Sequence, residues 1–360
     1  MSVDSPHASG PSTPDAAALF ARVAAAERRA EVRLATAIDD LFLVEDDRLD
    51  DRTRAALGAM LSGAVRAIAR ELAGHAARHV ADGFESAEEA PALLGRLLDA
   101  GVLRDRALMD ELLGQVRQNL LGDALIANRA PGSQPVLLPR LAGSRDGVIS
   151  VAARAYLLAE NRRRSSGAGC HGELSSHSHR HLVWWIAAAL RRPDIADPAR
   201  QAEIDRALVA AAERSLAAHD DQDRLNAIAL RLAVAIDPRP AEMADLLVES
   251  IDEGLSALFV GLLAHMVSID FKEARALVLD PDGDRLWLAL RARGFDRATI
   301  ARIGLALSDA DPRRDIDAFA DMLDTIAAIP PETARTALEP LSLHPEFRAA
   351  IRAFDRKERR

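Results

Sequence analysis

In every long stretch of the chain, apolar residues recur every three or four positions, and each run ends at a cluster of Pro, Gly or Asp. This spacing places the apolar side chains on one face of an α-helix. No segment of four to eight residues alternates polar and apolar side chains as a half-buried strand would. The pattern therefore predicts an all-α protein of many short helices, arranged as stacked helical hairpins in a HEAT-like α-solenoid or as two packed helical halves.

Changes in composition divide the chain into segments. Residues 1–12 are polar and contain Pro and Gly, which predicts a disordered tail. Residues 165–178 are rich in Ser, Gly and His, and we expect a linker there. An N-terminal helical domain over 13–164 would precede this linker, and a helical-repeat domain over 179–356 would follow it. In the second half, two helices and their turns occupy ~30–40 residues, which is the spacing of helical repeats.

Charge and hydropathy narrow the classes of function. Acidic residues outnumber basic ones by 55 to 46, the net charge is −9, and aromatic residues make up 4% of the chain. Nonspecific nucleic-acid binding uses basic surfaces and stacking rings, so we expect no nucleic-acid partner. The longest nearly uncharged run, Leu255 to Ile269, is shorter than the ~20 residues that span a bilayer. We expect this run to be a central helix buried on all sides, in a cytoplasmic protein with no membrane partner and no signal peptide.

Several potential metal ligands lie close together around the expected linker. A transition metal such as zinc needs three or four thiolate, imidazole or carboxylate ligands that converge. The spacing here matches no established zinc motif, so a solvated linker that leads into a helix is the simpler interpretation, and metal binding is the alternative. No cofactor is expected. The candidate metal ligands are Cys170, His171, His177, His179 and His181, with Glu173 among them.

Two further features are typical of surfaces that bind another protein. Trp184 and Trp185 point ~100° apart on a helix, so core packing is the default for these side chains and an interaction hot spot is the alternative. Arg162, Arg163 and Arg164 close a helix, where the helix dipole favours cations. Docking of an acidic or phosphorylated segment is the alternative for these arginines.

Signatures of catalysis are missing from the sequence. It contains no Gly-rich phosphate loop, no GxGxxG after a predicted strand, no HExxH and no G-x-S-x-G elbow. The run Asp280 to Asp284 resembles a calcium loop, but its glycine comes too early and the twelfth position is Arg291. We expect a turn there, with Asp284 capping the next helix, and we expect no catalytic residues.

Three stretches and the C-terminal helix pair together are similar to a known protein family. They are AIDDLFLVEDDRLDDRTRAAL (37–57), HLVWWIAAALRR (181–192), LWLALRARGFDRATIARIGLALSD (286–309) and the ending HPEFRAAI (344–351). The chain resembles an alphaproteobacterial family called domain of unknown function 2336, for which HEAT-like helical repeats are predicted. The resemblance implies an all-helical fold and a cytoplasmic location, and it provides no catalytic residues.

The sequence therefore predicts a noncatalytic interaction, scaffold or regulatory protein that binds another protein along a helical surface. The alternative is a metal-binding helical protein that uses residues 170–181. An enzyme whose site is made by residues distant in sequence would need a buried polar pocket with converging titratable groups. The identity of the partner is open, and so is a homodimer.

Overall fold

The computed structural model describes residues 25–26, 28–38, 49–80, 90–130, 132, 134–165, 173–191, 197–344, 346–348, 350–351 and 354. These residues form helices joined by short turns and contain no strand, which confirms the all-α prediction. None of the helices they form combines the length and the apolar character needed to cross a membrane.

Sixteen helices are labelled here in chain order, beginning with the helical segment α1 at 28–38. The others are α2 (Asp51–Ala76), α3 (Ala90–Asp99), α4 (Arg106–Ala127), α5 (Leu137–Ala142), α6 (Gly147–Ser165), α7 (Ser176–Ala189), α8 (Pro198–Ala218), α9 (Leu225–Ile236), α10 (Pro240–Asp252), α11 (Ser256–Val267), α12 (Phe271–Leu279), α13 (Asp284–Ala292), α14 (Arg297–Ala310), α15 (Ile316–Ala328) and α16 (Pro331–Leu338).

Aspartate side chains begin many of these helices. In each case the carboxylate accepts a hydrogen bond from a backbone N–H of the first turn, a group that has no partner within the helix. This explains why the apolar runs of the sequence are separated by Asp. The residues that cap helices in this way are Asp50, Asp105, Asp197, Asp270, Asp296 and Asp315.

Helix α13 begins differently from the expectation. Gly283 occupies the N-cap position with a φ of 69°, so the prediction that Asp284 caps this helix is wrong. A side chain at Gly283 would also collide with Trp287, because a Cβ there would lie 2.6 Å from the indole ring. The turn itself is present, closed by a hydrogen bond from Gly283 N to Asp280 O (3.1 Å). Asp284 lies in the first helical turn instead.

The apolar side chains form two buried clusters. The first cluster combines α2, α3, the first half of α4, α7 and α8. The second combines the last part of α4 with α5, α6 and α9 to α16. Helix α11 is buried around most of its circumference in this second cluster, as expected for the run that begins at Leu255.

The two clusters do not follow the division expected at 165–178. Helix α7 begins in the last part of that segment and α8 follows it, but both pack with the N-terminal helices. Helix α5 precedes the segment and α6 ends at its first residue, but both pack with the C-terminal helices. Loop composition marks where helices end, but it carries no information on which apolar faces bury each other. The proposed tail 1–12 and residues 166–172 lie outside the described residues.

Consecutive helices pair as hairpins, for example α5 with α6, α7 with α8, α10 with α11 and α14 with α15. The helices also meet partners far away in sequence, since α4 contacts α2, α7, α10, α11, α12 and α14. In a simple solenoid each repeat contacts only its neighbours. Several of the hairpins here instead contact one central helix, α4.

Helices α9 and α11 approach each other very closely, and a glycine permits this approach. A Cβ placed on Gly261 of α11 would lie 2.9 Å from the carbonyl oxygen of Ala229 in α9. Backbone atoms cannot move aside as a flexible side chain can, so any larger residue would push the two helices apart.

We predict opposite effects for alanine at two helical glycines. Gly261→Ala should lower the free energy of unfolding by about 1–3 kcal/mol, because the added methyl group overlaps the backbone of α9. Gly58→Ala in α2 is the matched control, since a Cβ there meets nothing within 4 Å. It should raise the free energy of unfolding by up to about 1 kcal/mol through helix propensity. Urea unfolding of both variants measures the difference, and equal effects would contradict the close approach.

Candidate interaction surface

The histidines at the start of α7 lie in three different environments. His177 is exposed, His179 is buried and His181 is half-buried. The Nε2 atom of His179 lies 3.3 Å from Ser215 Oγ. The centroids of the His179 and His219 rings are 4.1 Å apart. Different surroundings of this kind do not form a shared set of ligands.

His181 has a backbone partner of its own, because its Nε2 atom donates to Val102 O at 3.2 Å. Cys170 and His171, the other two candidate ligands, lie outside the described residues. In the part of the chain that is described, no three His, Cys, Asp or Glu side chains are grouped so that they could hold a metal ion.

A buried carboxylate fixes the beginning of α7, and sequence reasoning missed it. Glu111 of α4 accepts hydrogen bonds from Ser175 N, Ser175 Oγ and Ser178 Oγ, each at 2.6 Å. Arg224 donates to the same carboxylate at 2.9 Å. An anion is favoured at a helix N-terminus because the helix dipole is positive there. The Ser-x-x-Ser spacing was visible in the sequence, but the carboxylate lies far upstream.

The last residues of the expected linker are therefore held in place. The Glu173 carboxylate accepts from Leu225 N at 2.9 Å, and burial raises its pKa despite this hydrogen bond. Ser176 donates to Asp221 through both its N–H and its hydroxyl, at 2.8 Å each. These contacts attach the start of α7 to the start of α9, so residues 173–178 are part of the packed structure.

Both tryptophans of α7 are partly exposed. Trp184 is 40% and Trp185 42% accessible to solvent, so the core packing expected by default is wrong for both. The Trp185 ring lies 6.1 Å from that of His181. The large apolar residues that α7 buries are Leu182, Val183 and Ile186. Both indoles lie on the outer surface of the first cluster.

The three arginines at the end of α6 are not equivalent. Arg163 and Arg164 both donate to the carboxylate of Glu160, at 2.7 and 2.8 Å. Burial of Glu160 raises its pKa, but the hydrogen bonds and charges of the two arginines outweigh this effect and lower the pKa overall. Arg162 is exposed and makes no ion pair with any described residue. Arg162 is therefore the one of these three arginines that is exposed without a carboxylate partner among the described residues.

An apolar stripe runs along the outer face of α6. Val148 and Val151 are each 68% exposed, and Leu158 is 66% exposed. With Ala155 these residues follow the three- and four-residue spacing of one helix face. Arg162 continues the same stripe one turn further. Large apolar side chains exposed together in this way are uncommon on a surface that binds nothing.

The stripe forms one wall of a groove whose other wall is α9. The groove has a volume of about 660 Å³. From α6 it is lined by Val148, Val151 and Ala155, and from α9 by Ile228 and Val234. The floor is closed by direct contact between α6 and α9.

Arginines flank the groove without carboxylate partners. Arg231 lines the groove and donates to Gln222 O at 2.8 Å. Arg154 projects from the edge of the stripe and donates to Ala142 O at 3.4 Å. No described carboxylate forms an ion pair with Arg154, Arg162 or Arg231. A positive rim is notable in a protein with a net charge of −9.

These observations define an all-helical protein with an apolar groove and a basic rim. A family model called DUF2336, described as an uncharacterised protein conserved in bacteria, matches residues 131–339. This range is more than half of the chain and runs from α5 to α16, so the protein belongs to that family. No curated protein and no solved structure matches the chain. The family match includes both helices of the groove.

The pairing of Glu160 predicts a stability difference that depends on pH. Glu160→Gln should lower the free energy of unfolding by about 1–3 kcal/mol at pH 7, because two charge-assisted hydrogen bonds are weakened. The folded-state pKa lies below the ordinary value of 4.5, so this stability is present above pH 4.5 and is lost as the pH falls through the folded pKa. Urea unfolding of both proteins at pH 7 and pH 3 measures it.

The control is Glu332→Gln, which weakens an exposed pair with Arg335. Exposed pairs contribute little because water and salt screen them. We therefore expect a smaller effect than that of Glu160→Gln at pH 7. A Glu160→Gln effect of the same size at both pH values would contradict the role given to the carboxylate.

Proposed function

We propose that this protein is a noncatalytic scaffold or regulatory protein that binds an acidic amphipathic helix of another protein in the groove between α6 and α9. The observation that carries the proposal is the exposed stripe of Val148, Val151 and Leu158, bordered by arginines that have no described carboxylate partners. Water contacts these apolar side chains in the free protein. A partner that covers them gains about 25 cal/mol per Å² of apolar surface removed from water.

The shape of the groove favours a helical partner. An amphipathic helix inserts side chains at positions i, i+3 or i+4, and i+7 into such a groove. The two walls are themselves helices, so a third helix packs against them by the same ridge-and-groove contacts that hold the protein together. A cytoplasmic location, HEAT-like pairing of the helices and the absence of a cofactor are further parts of this proposal.

The charges around the groove indicate the chemistry of the partner. Arg154, Arg162 and Arg231 can each donate hydrogen bonds to a carboxylate of Asp or Glu on the polar edges of the bound helix. Complementary charge of this kind speeds association and selects the register of the complex. A second copy of this chain fits less well, because two α6 helices placed face to face bring Arg154 and Arg162 towards the same arginines of the other copy.

Photo-crosslinking in the native host tests the proposal. A photoreactive phenylalanine replaces Val151, and the control carries it at Leu305, an exposed position on α14 outside the groove. We expect Val151 alone to yield an adduct with one other protein, and the crosslinked segment should be an acidic amphipathic helix. An adduct only with a second copy of the chain, no adduct, or equal adducts from both positions would overturn the proposal.

A peptide of the crosslinked segment then measures the interaction with purified protein. Val151→Glu should weaken binding at least tenfold, because it introduces an acid into an apolar site and repels the acidic partner. Leu305→Glu is the control. Raising the salt concentration should also weaken binding, since exposed ion pairs are screened. Circular dichroism of each variant checks that the helices are retained.

The alternative function, metal binding through residues 170–181, has its own test. The described histidines of this segment have separate surroundings, so we expect less than one equivalent of metal in protein purified without a histidine tag. Elemental analysis measures the content directly. One equivalent of zinc that is lost in the variants His177→Ala and His181→Ala would instead support a metal site.

A further inference from the structure

A second concave region lies between α1, α4 and α12, and it shares no residue with the α6–α9 groove. We call it the α4–α12 cleft; its volume is about 500 Å³. Cavities that bind small molecules typically measure ~300–1,000 Å³, so the size suits a metabolite. The proposed protein-binding function makes no use of this region.

Helices α4 and α12 each present charged residues on one face to the cleft. From α4 come Asp110, Gly114 and Arg117, which are spaced by four and three residues and therefore lie on one face. From α12 come Lys272 and Arg275, again one turn apart. Apolar side chains lie between these charged groups, so the cleft has both polar and apolar walls. The apolar residues are Leu34, Leu113, Ala276 and Leu279.

Most carboxylates of the cleft already have partners. Asp110 pairs with Lys272 at 2.5 Å, and Asp280 pairs with Arg33 at 2.8 Å. The remaining acids around the cleft form ion pairs, cap a helix or are exposed. Glu273 pairs with Arg348 at 2.8 Å, Glu31 pairs with Arg106 at 3.5 Å, Asp270 caps α12, and Glu346 is exposed at the rim.

Arg275 has no such partner. It is only 5% exposed, it lines the cleft, and it makes no hydrogen bond or ion pair with any described residue. Burial lowers the pKa of Arg275, although the negative charges of Asp110 and Glu111 favour a higher pKa. A largely buried guanidinium group without a hydrogen-bonded acceptor is costly, because most of its water has been removed and no acceptor among these residues replaces it.

The position of Arg275 depends on a glycine. A Cβ on Gly114 would lie 2.8 Å from its Nη2 atom and 2.9 Å from Cζ, so the guanidinium group lies directly against the backbone of α4. Any other residue at this position would displace it. The central helix therefore has room for this guanidinium group only because residue 114 has no side chain.

Two more arginines of the cleft have N–H groups without acceptors. Arg285 is 3% exposed, and its Nε and Nη2 atoms are buried with no hydrogen-bond partner among the described residues. Its nearest carboxylates, Asp280 and Glu273, are both 3.7 Å away. Arg117 makes no described ion pair, and burial together with the charge of Arg313 lowers its pKa to about 10.

We propose that the α4–α12 cleft binds a phosphate group, either as the free ion or as part of a phosphorylated metabolite, through Arg275, Arg285 and Arg117. Guanidinium groups bind phosphate oxygens with two parallel hydrogen bonds, and a phosphate offers acceptors to several arginines at once. The bound anion supplies the acceptors that these buried N–H groups lack. The apolar part of the walls contacts the organic part of a phosphorylated metabolite.

Titration of the purified full-length chain tests the proposal. Inorganic phosphate and adenosine monophosphate are added in separate titrations at constant ionic strength, and binding is followed by calorimetry and by the unfolding temperature. We expect saturable binding and a higher unfolding temperature with at least one of the two. Binding of inorganic phosphate alone identifies the free ion as the ligand, whereas tighter binding of the nucleotide identifies a phosphorylated metabolite.

Arg275→Met separates a binding role from a structural role. Methionine keeps an apolar stem against α4 but removes the charge, so the affinity should fall about tenfold or more. Without ligand the variant should unfold at the same temperature as the wild type or higher, because an uncompensated buried charge has been removed. Arg297→Met, which removes an exposed arginine outside the cleft, should leave the affinity unchanged.

Gly114→Ala provides a second variant that keeps every charge. The added methyl group displaces the Arg275 guanidinium group and should also weaken binding. No saturable binding of either anion to the wild type would overturn the proposal. Equal affinity of the wild type and Arg275→Met would also overturn the proposal. If the ligand-free variant then unfolded at a lower temperature, the role of Arg275 would be structural.

Discussion

The central helix α4 has to pack against helices of both buried clusters, and this requirement determines the arrangement of the other helices. Its early apolar residues, such as Leu112, are buried with α2 and α7, whereas Leu125 near its end is buried in the second cluster. A helix enclosed on several sides needs close approaches that large side chains prevent. Gly122 provides one of them, because a Cβ there would lie 2.8 Å from Ser256 Oγ.

The helices around α4 differ in how much of their surface is covered. Helix α11 is enclosed by its neighbours, and its faces are apolar nearly all round. Helix α6 belongs to the outer layer and packs mainly on α5 and α9, so one of its apolar faces is left in contact with water. The proposed partner surface therefore follows from position in the assembly of helices as much as from composition.

Hydrophobic burial alone leaves the relative positions of the helices loosely defined. Polar contacts between distant parts of the chain fix these positions. Glu111 joins α4 to the start of α7 and to Arg224. Two arginines of α1, Arg29 and Arg33, pair with the acidic turn before α13, at 2.9 Å to Asp282 and 2.8 Å to Asp280. Ion pairs and hydrogen bonds have directional geometry, so they define the relative positions of helices more narrowly than apolar contact does. The sequence of this turn resembles a calcium loop, but in the structure its carboxylates form ion pairs with arginines.

Local sequence determined which residues form helices, that Asp caps many of them, and that most of the run from Leu255 to Ile269 is buried. These properties depend on side-chain spacing over a few residues, and the family resemblance rested on the same patterns. Tertiary structure alone decided that α7 and α8 join the N-terminal cluster, that both tryptophans are exposed, and that Arg162 but not Arg163 is available. It also placed Arg275 against Gly114. Such contacts join residues far apart in the chain, and the periodicity of one helix does not specify the helix that will cover it.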